Sequence, residues 1–178
     1  MRITISGPPG SGKSTACSKL SEELGFEAII FGKVFRQLAA EKNLSLGELG
    51  KLAEEEDPSI DRMIDSHILD IARTRDDIIL ESRLSAYMCA KNDIPAFKIY
   101  IDASPEVRMA RIGVREGQTL EEAVAETKDR QRSEAKRYKM YYDIDIEDTS
   151  VYDLIINTDN LDPDQVVKTI LDAVGEKK

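Results

Sequence analysis

The chain is poor in the residues on which several kinds of chemistry depend. It has a single histidine, His67, in 178 residues. That excludes a His-rich zinc site and argues against a Ser-His-Asp triad, so His67 reads as an ordinary helix residue. It has two cysteines, Cys17 and Cys89, far apart in sequence. They make no Cys-x-x-Cys pair and no disulfide framework, which suits a reducing, cytoplasmic setting. No run of about 18 apolar residues occurs, so no membrane-spanning helix and no membrane partner are expected. The N-terminus enters a strand at Arg2 without a signal-peptide pattern, so no export leader is expected. No internal repeat, low-complexity tract or linker divides the chain. Its length fits one domain with a sizeable core.

Positive charge is also in deficit. The net charge is −9, the opposite of the balance a nucleic-acid binder needs, so no nucleic-acid partner is expected. The deficit is uneven, because residues 108–139 hold nine Lys/Arg against six Asp/Glu. A basic patch in an acidic protein suits a small, highly charged anion. A solvated helical face with ion pairs four residues apart explains part of the same pattern.

What is present begins with "RITIS" (Arg2–Ser6), a strand, followed at once by "GPPGSGKST". Gly7, Gly12, Lys13 and Ser14 fit the template Gly-x-x-x-x-Gly-Lys-Ser between a strand and a helix. Such a loop wraps a phosphate with backbone N–H groups, and the helix N-terminus adds partial positive charge. The template asks for a bound triphosphate. Gly7, Pro8, Pro9, Gly10, Ser11, Gly12, Lys13, Ser14 and Thr15 are the candidate binding residues. Lys13 reaches the β- and γ-phosphates and the Ser14 hydroxyl ligates Mg²⁺. The second Mg²⁺ ligand is expected at a neighbouring strand end. Glu81 in "IILESR" is the first choice, Asp102 after "FKIYI" the weaker competitor, and a solvated strand-end carboxylate the bland alternative.

The remaining pattern alternates strand and helix. After a helix from about Lys13 to Leu24 comes Gly25, placed as a helix-ending glycine, then "EAII" (Glu27–Ile30) as strand two. Helical segments follow over about 33–42 and 45–55, and another starts near Pro58 and runs to about Arg73. "DIIL" (Asp77–Leu80) and "FKIYI" (Phe97–Ile101) are strands. Ser104 is an N-cap candidate with Pro105 at the first helical position. "TLEE" (Thr119–Glu122) reads as a capping box opening a long helix to about Tyr141. "YDLIIN" (Tyr152–Asn157) is the last strand and Asp162–Val174 the last helix, with "GEKK" as a frayed end. Five short apolar strands separated by helices predict an α/β fold, a parallel sheet with helices on both faces.

The phosphate loop serves switches, motors and transferases alike. The guanine-reading Asn-Lys-x-Asp is absent, since "NTDN" (Asn157–Asn160) does not match it. Arginines supply the further signal. Arg36 and Arg83 follow the second and third strands, and parallel strands bring their C-terminal ends to one edge. Arg108, Arg111 and Arg115 share a helix face, as do Arg130, Glu134 and Arg137. Each alone is as readily a surface ion pair. As a set they imply a second anionic group beside the triphosphate, because the guanidinium fork binds two phosphate oxygens.

"GPPGSGKST", "GKVFRQLA", "EEEDPSIDRMID", "ILESRLSAYM" and "RQRSEAKRYKMYYDIDIEDTSVYDLIINT" together resemble archaeal-type cytidylate kinases, within the nucleoside monophosphate kinases. The resemblance runs from residue 1 to about 174. It implies a P-loop fold with a five-stranded parallel sheet, an acceptor-binding insert over about 32–73 and an arginine-rich lid over about 111–137. It implies transfer of phosphate from ATP to CMP or dCMP by a monomer in the cytoplasm. Lys13, Arg83, Arg130 and Arg137 would act in catalysis, and Arg111 and Arg115 on the donor side. Arg36, Asp61, Arg83, Arg130, Glu134 and Arg137 would meet the acceptor. The chain departs from related kinases at Ile30-Phe31, where Ser or Thr often precedes the glycine. It departs again at Ser82, where Gly often stands between acid and arginine. Kinases for AMP, UMP, shikimate or dephospho-coenzyme A share the scaffold, and an ATP-driven switch without transfer is a reading from another class.

Overall fold

The computed structural model describes residues 1–55 and 57–175. Strands β1 (Arg2–Ser6), β2 (Glu27–Ile30), β3 (Ile78–Glu81), β4 (Phe97–Asp102) and β5 (Leu154–Asn157) pair in the order β2-β3-β1-β4-β5, with every pairing parallel. The order reverses after β1, so β1 sits at the centre. The loop that follows it opens at the switch point where ligands bind in such sheets.

Alternation along the strands divides the core in two. Ile3, Ile5, Ile79, Ile99 and Ile101 pack with Ala16, Cys17 and Leu20 of α1 (Lys13–Leu24) and with Val166, Val167 and Ile170 of α8 (Pro163–Gly175). The opposite face of β3, Ile78 and Leu80, packs on Phe31 of α2 (Phe31–Glu41), on Ile68, Ile71 and Ala72 of α4 (Ser59–Thr74), and on Cys89 of α5 (Ser85–Lys91). Residues one apart on a strand face opposite sides, so Ile78, Ile79 and Leu80 of β3 must all be apolar to serve both layers. The two cysteines are buried in different layers and unpaired, and burial raises both thiols, Cys17 to about 12 and Cys89 to about 11.

Element ends shift by a few residues from expectation. Helix α2 starts at Phe31, directly after β2, with no intervening loop. The first residues of the "YDLIIN" run lie outside β5. Asp153 there belongs to the approach, receiving the Lys98 N–H on its carboxylate at 2.8 Å. Helix α5 was not expected, because its "SAYMCAK" run is buried nearly throughout and carries no amphipathic period. Ser104 stands just before α6 (Pro105–Glu116), but its side chain makes no cap. Its N–H instead donates to Asp159 Oδ1 at 2.6 Å. The capping box at Thr119 and Glu122 does form at the start of α7 (Leu120–Tyr142). A second one, Ser45 with Glu48, opens α3 (Leu46–Glu55). Gly25 and Gly117 close α1 and α6 in the left-handed conformation. Gly175 ends α8, and the rest of the expected frayed end, 176–178, lies outside the described residues. Among the described residues no helix is long and apolar enough to cross a membrane.

Candidate active site

The phosphate loop turns tightly because glycine stands where no other residue fits. Gly7 has φ 147°, and a Cβ there would lie 2.0 Å from the Ile101 carbonyl oxygen of β4. Gly10 has φ 81°, and its Cβ would lie 2.6 Å from the Arg108 carbonyl. Lys13 folds back over the loop, donating from Nζ to the Pro8 carbonyl at 2.8 Å. Burial lowers its pKa to about 8, against the raising influence of Glu81. A poorly solvated cation cradled by backbone is poised for an anion of high charge.

Beside the loop, the Ser14 hydroxyl lies 3.4 Å from Glu81 Oε2 at the end of β3. Asp102, the competitor for this position, is turned elsewhere. Its Oδ1 accepts from the Ala103 N–H at 2.8 Å, and it does not line the cavity. Arg83 ties the site together. Nη1 donates to the Gly7 carbonyl at 2.7 Å and Nε to Glu134 Oε2 at 2.9 Å. Burial works to raise the Glu134 carboxyl, but the guanidiniums of Arg83, Arg130 and Arg137 outweigh it and hold the carboxyl below its ordinary range. Glu134 is therefore an ionised acceptor between arginines.

A cavity of about 430 Å³ opens over these groups. Its wall brings together Pro9, Gly10, Gly12, Lys13, Ser14 and Thr15 from the loop and α1 with Arg36, Asp61, Glu81, Arg83, Arg111, Arg115, Arg130, Glu134 and Arg137. Of the sequence candidates, Gly7, Pro8 and Ser11 lie behind this wall as the loop's frame. Arg36 is half-buried, and burial first, then the nearby Arg115, lowers its pKa. Both effects favour a bound anion that would neutralise it. Arg137 is committed inside the protein, donating from Nε to Asp61 Oδ2 at 2.5 Å and from Nη1 to Ser133 Oγ at 2.5 Å. Among the described residues no carboxylate pairs with Arg130.

Several contributors escaped the sequence reading. Thr158, after β5, receives Arg111 Nη1 on its hydroxyl at 3.0 Å and Nη2 on its carbonyl at 3.1 Å. Its hydroxyl also lies 3.1 Å from the Ser11 carbonyl. It thereby fixes α6 to the phosphate loop, and nothing in "NTDN" signals that. Arg108, read from the sequence only as a member of the α6 arginine face, donates to the Pro9 carbonyl at 3.2 Å and braces the loop from behind. Phe31, Phe35, Ile64 and Ile68 give one part of the cavity an apolar wall. Phe31 is one of the two positions where a hydroxyl was expected from related kinases. Ser82, the other departure, has a local use: its hydroxyl accepts the Leu84 and Ser85 N–H groups at 3.1 and 2.8 Å and so starts α5. Asp65, also on the wall, could have been found from its spacing of four residues from Asp61.

A central strand feeding a glycine-rich loop, with a lysine and many arginines around one cavity, defines a P-loop kinase of the kind that acts on small acceptors. The chain belongs to the cytidylate kinase-like family, whose model matches residues 2–160. It is 51% identical over 175 residues to the cytidylate kinase of Natronomonas pharaonis, covering 98% of this chain and 90% of that one. It is 44% identical over 178 residues to the cytidylate kinase of Archaeoglobus fulgidus, covering 100% and 97%. Among solved structures, a gluconokinase from Sinorhizobium meliloti superposes with a TM-score of 0.67 at 13% identity, covering 99% of this chain and 92% of that one. At that identity the likeness concerns the fold.

Proposed function

We infer that the protein transfers the γ-phosphoryl group of ATP to CMP or dCMP, giving ADP and CDP or dCDP. The carrying observation is a single cavity that holds the phosphate loop, Lys13 and a ring of arginines, in a chain about half identical to a named cytidylate kinase. An oxygen of the acceptor phosphate attacks the γ-phosphorus, and the bond from that phosphorus to the β,γ-bridging oxygen breaks, leaving ADP. The acceptor phosphate is already an anion, so no strong general base is required, in keeping with a chain that has one histidine.

Catalysis then comes from alignment and charge neutralisation. Lys13 exchanges the Pro8 carbonyl for phosphate oxygens. Arg36 and Arg83 hold the acceptor phosphate, and Arg83 is pre-set by Gly7 and Glu134. Arg130 approaches the transferring group from α7, Arg111 and Arg115 approach it from α6, and Arg137, held by Asp61, presents its charge from the same wall. The region 32–73 carries the acceptor and 111–137 forms the lid of a single domain. Ser14 and Glu81, two oxygen donors side by side on the wall, suit Mg²⁺, which takes few protein ligands and keeps water and phosphate oxygens for the rest. When bound, that ion neutralises charge on the β- and γ-phosphates. This reading includes a monomer acting in the cytoplasm, with no nucleic-acid partner.

ADP release measured with ATP, Mg²⁺ and one acceptor at a time tests it. CMP and dCMP should stimulate release far more than AMP, GMP or shikimate. Faster turnover with AMP than with CMP would sink the cytidylate assignment. Binding of ATP with no acceptor-dependent release would point to the switch.

A further inference from the structure

Asp61, Ile64, Asp65 and Ile68 share one face of α4, and all four line the cavity. The two carboxylates differ in their surroundings. Asp61 is paired with Arg137. Asp65 is buried too, but among the described residues no cation pairs with it directly, and Arg137, committed to Asp61, acts on it only at longer range. Among the described residues its one hydrogen bond comes from the Tyr142 hydroxyl, which donates to Oδ2 at 2.5 Å. Oδ1 is left for the cavity, next to the apolar wall of Phe31, Ile64 and Ile68. Burial pushes the Asp65 carboxyl up to about 7, against the pull of the Tyr142 hydrogen bond. A buried carboxyl without a directly paired counter-charge is costly, and packing on Tyr142 alone does not require one.

Position supports a role at the far end of an acceptor. Glu134 meets Arg83 beside the phosphate loop, and Tyr142 meets Asp65. Eight residues of α7 separate them, about 12 Å of helix. An extended phosphate, ribose and base spans a comparable length.

We propose that Asp65 is the specificity-determining residue for the base: the second lone pair of Oδ2, beside the Tyr142 hydroxyl, accepts a hydrogen bond from the 4-amino group of cytosine and, when the carboxyl is neutral, Oδ1 donates to the ring N3. The proposal rests on the CMP reading above and names the group that selects the pyrimidine. A neutral carboxyl is donor and acceptor at once, which matches the adjacent N3 and 4-amino group. Uracil carries an oxygen in place of that amino group. Its lone pairs would meet the carboxyl oxygen, and its N3 carries a hydrogen where the acid would donate. A site built to hydrogen-bond one group rejects an analogue lacking it, because its own buried polar atom is left unpaired.

The test compares CMP, UMP and the monophosphate of pyrimidin-2-one riboside, which lacks the 4-amino group, on the wild-type protein and on Asp65→Ala and Asp65→Asn. In the wild type, loss of the 4-amino group should lower kcat/KM by about tenfold or more. In Asp65→Ala the same loss should matter by less than about threefold, since the partner is gone. Asp65→Asn can present its amide N–H to O4, and should raise the ratio of UMP to CMP turnover by about tenfold. An equal penalty for the missing amino group in wild type and Asp65→Ala overturns the proposal, as does equal wild-type turnover of CMP and the pyrimidin-2-one compound. The latter measurement needs no variant to fold. Absence of wild-type turnover with CMP overturns the acceptor reading itself, a result distinct from either.

Discussion

Arg137 Nε lies 2.5 Å from Asp61 Oδ2, and the two side chains are only 3% and 6% exposed. The pair joins α7, which carries the proposed lid arginines, to α4, which carries part of the proposed acceptor wall. Arg137 also donates to the Gly50 carbonyl of α3 at 3.3 Å. The C-terminal half of α7 is therefore fastened to α3 and α4, so any movement of the proposed lid must hinge on the N-terminal side of Arg137. Asp61→Ala leaves a buried guanidinium without its counter-charge. It should destabilise the protein by about 3–5 kcal/mol in urea unfolding. Adding Arg137→Leu should recover part of that loss, since a fully apolar pair carries no orphaned charge. No recovery in the double variant would mean that the Arg137 contacts to Gly50 and Ser133 matter more than the ion pair.

Lys13→Ala should reduce turnover by roughly 10²-fold or more while leaving the protein folded. Lys13 sits at the junction of loop and helix, and among the described residues its side chain's one hydrogen bond is to its own loop at Pro8. Little packing is lost with it. Turnover near wild type in a folded Lys13→Ala protein would remove it from the mechanism.

The parts of this fold that could be read in advance are those where one residue type has one physical use. The phosphate loop is such a case, because Lys13 and Ser14 at fixed offsets serve no turn geometry, and Gly7 and Gly10 stand where a Cβ would strike backbone. The capping box at Thr119 and Glu122 is another. Helix α5 was not legible, since a short helix buried over Ser85–Cys89 has no period to detect. Within the site, Arg36 and Arg83 followed from strand ends in a parallel sheet. The environment of Arg137 did not, because its partner Asp61 is 76 residues away. Thr158 was invisible for the same reason: its value lies in reaching Ser11 and Arg111 across the fold.

The arginines of the cavity should separate by their effects on binding and on rate. Arg36→Ala removes a half-buried guanidinium from the acceptor side. It should weaken CMP binding while leaving ATP binding nearly unchanged. Arg83→Ala should do the same, with an added loss of rate, because Arg83 also holds Gly7 of the phosphate loop. Arg130 has no carboxylate partner among the described residues and lines the same cavity, so its loss is not a packing event. Arg130→Ala should lower kcat more than it weakens either substrate. It should also raise slow ATP hydrolysis without acceptor, if closure of α7 is what keeps water out. Substrate titrations followed by ADP release with and without CMP distinguish these outcomes. Equal small losses of binding in all three variants would reduce the arginines to a diffuse basic surface.

Asp65 should leave a signature in stability as well as specificity. The groups facing it are Asp61 on its own helix and Arg137 and Tyr142 on α7, and burial is the largest influence, pushing its carboxyl up to about 7. In the unfolded chain it titrates near 3.8. Below that pH the carboxyl is protonated in both states and burial carries no electrostatic penalty. Between about 4 and 7 the unfolded chain gives up the proton while the folded protein keeps it, so stability falls as pH rises, by about 1.4 kcal/mol per unit. Above 7 both states are ionised and the loss levels off at no more than about 4 kcal/mol. Asp65→Asn keeps an acceptor for Tyr142 and removes the titration. Its stability relative to wild type should therefore rise from pH 4 to pH 7 and then flatten. Urea unfolding of both proteins at pH 5, 6, 7 and 8 measures this. Parallel stability profiles would show that Asp65 ionises in the folded protein as it does in the open chain, and that the cavity around it is wetter than its burial indicates.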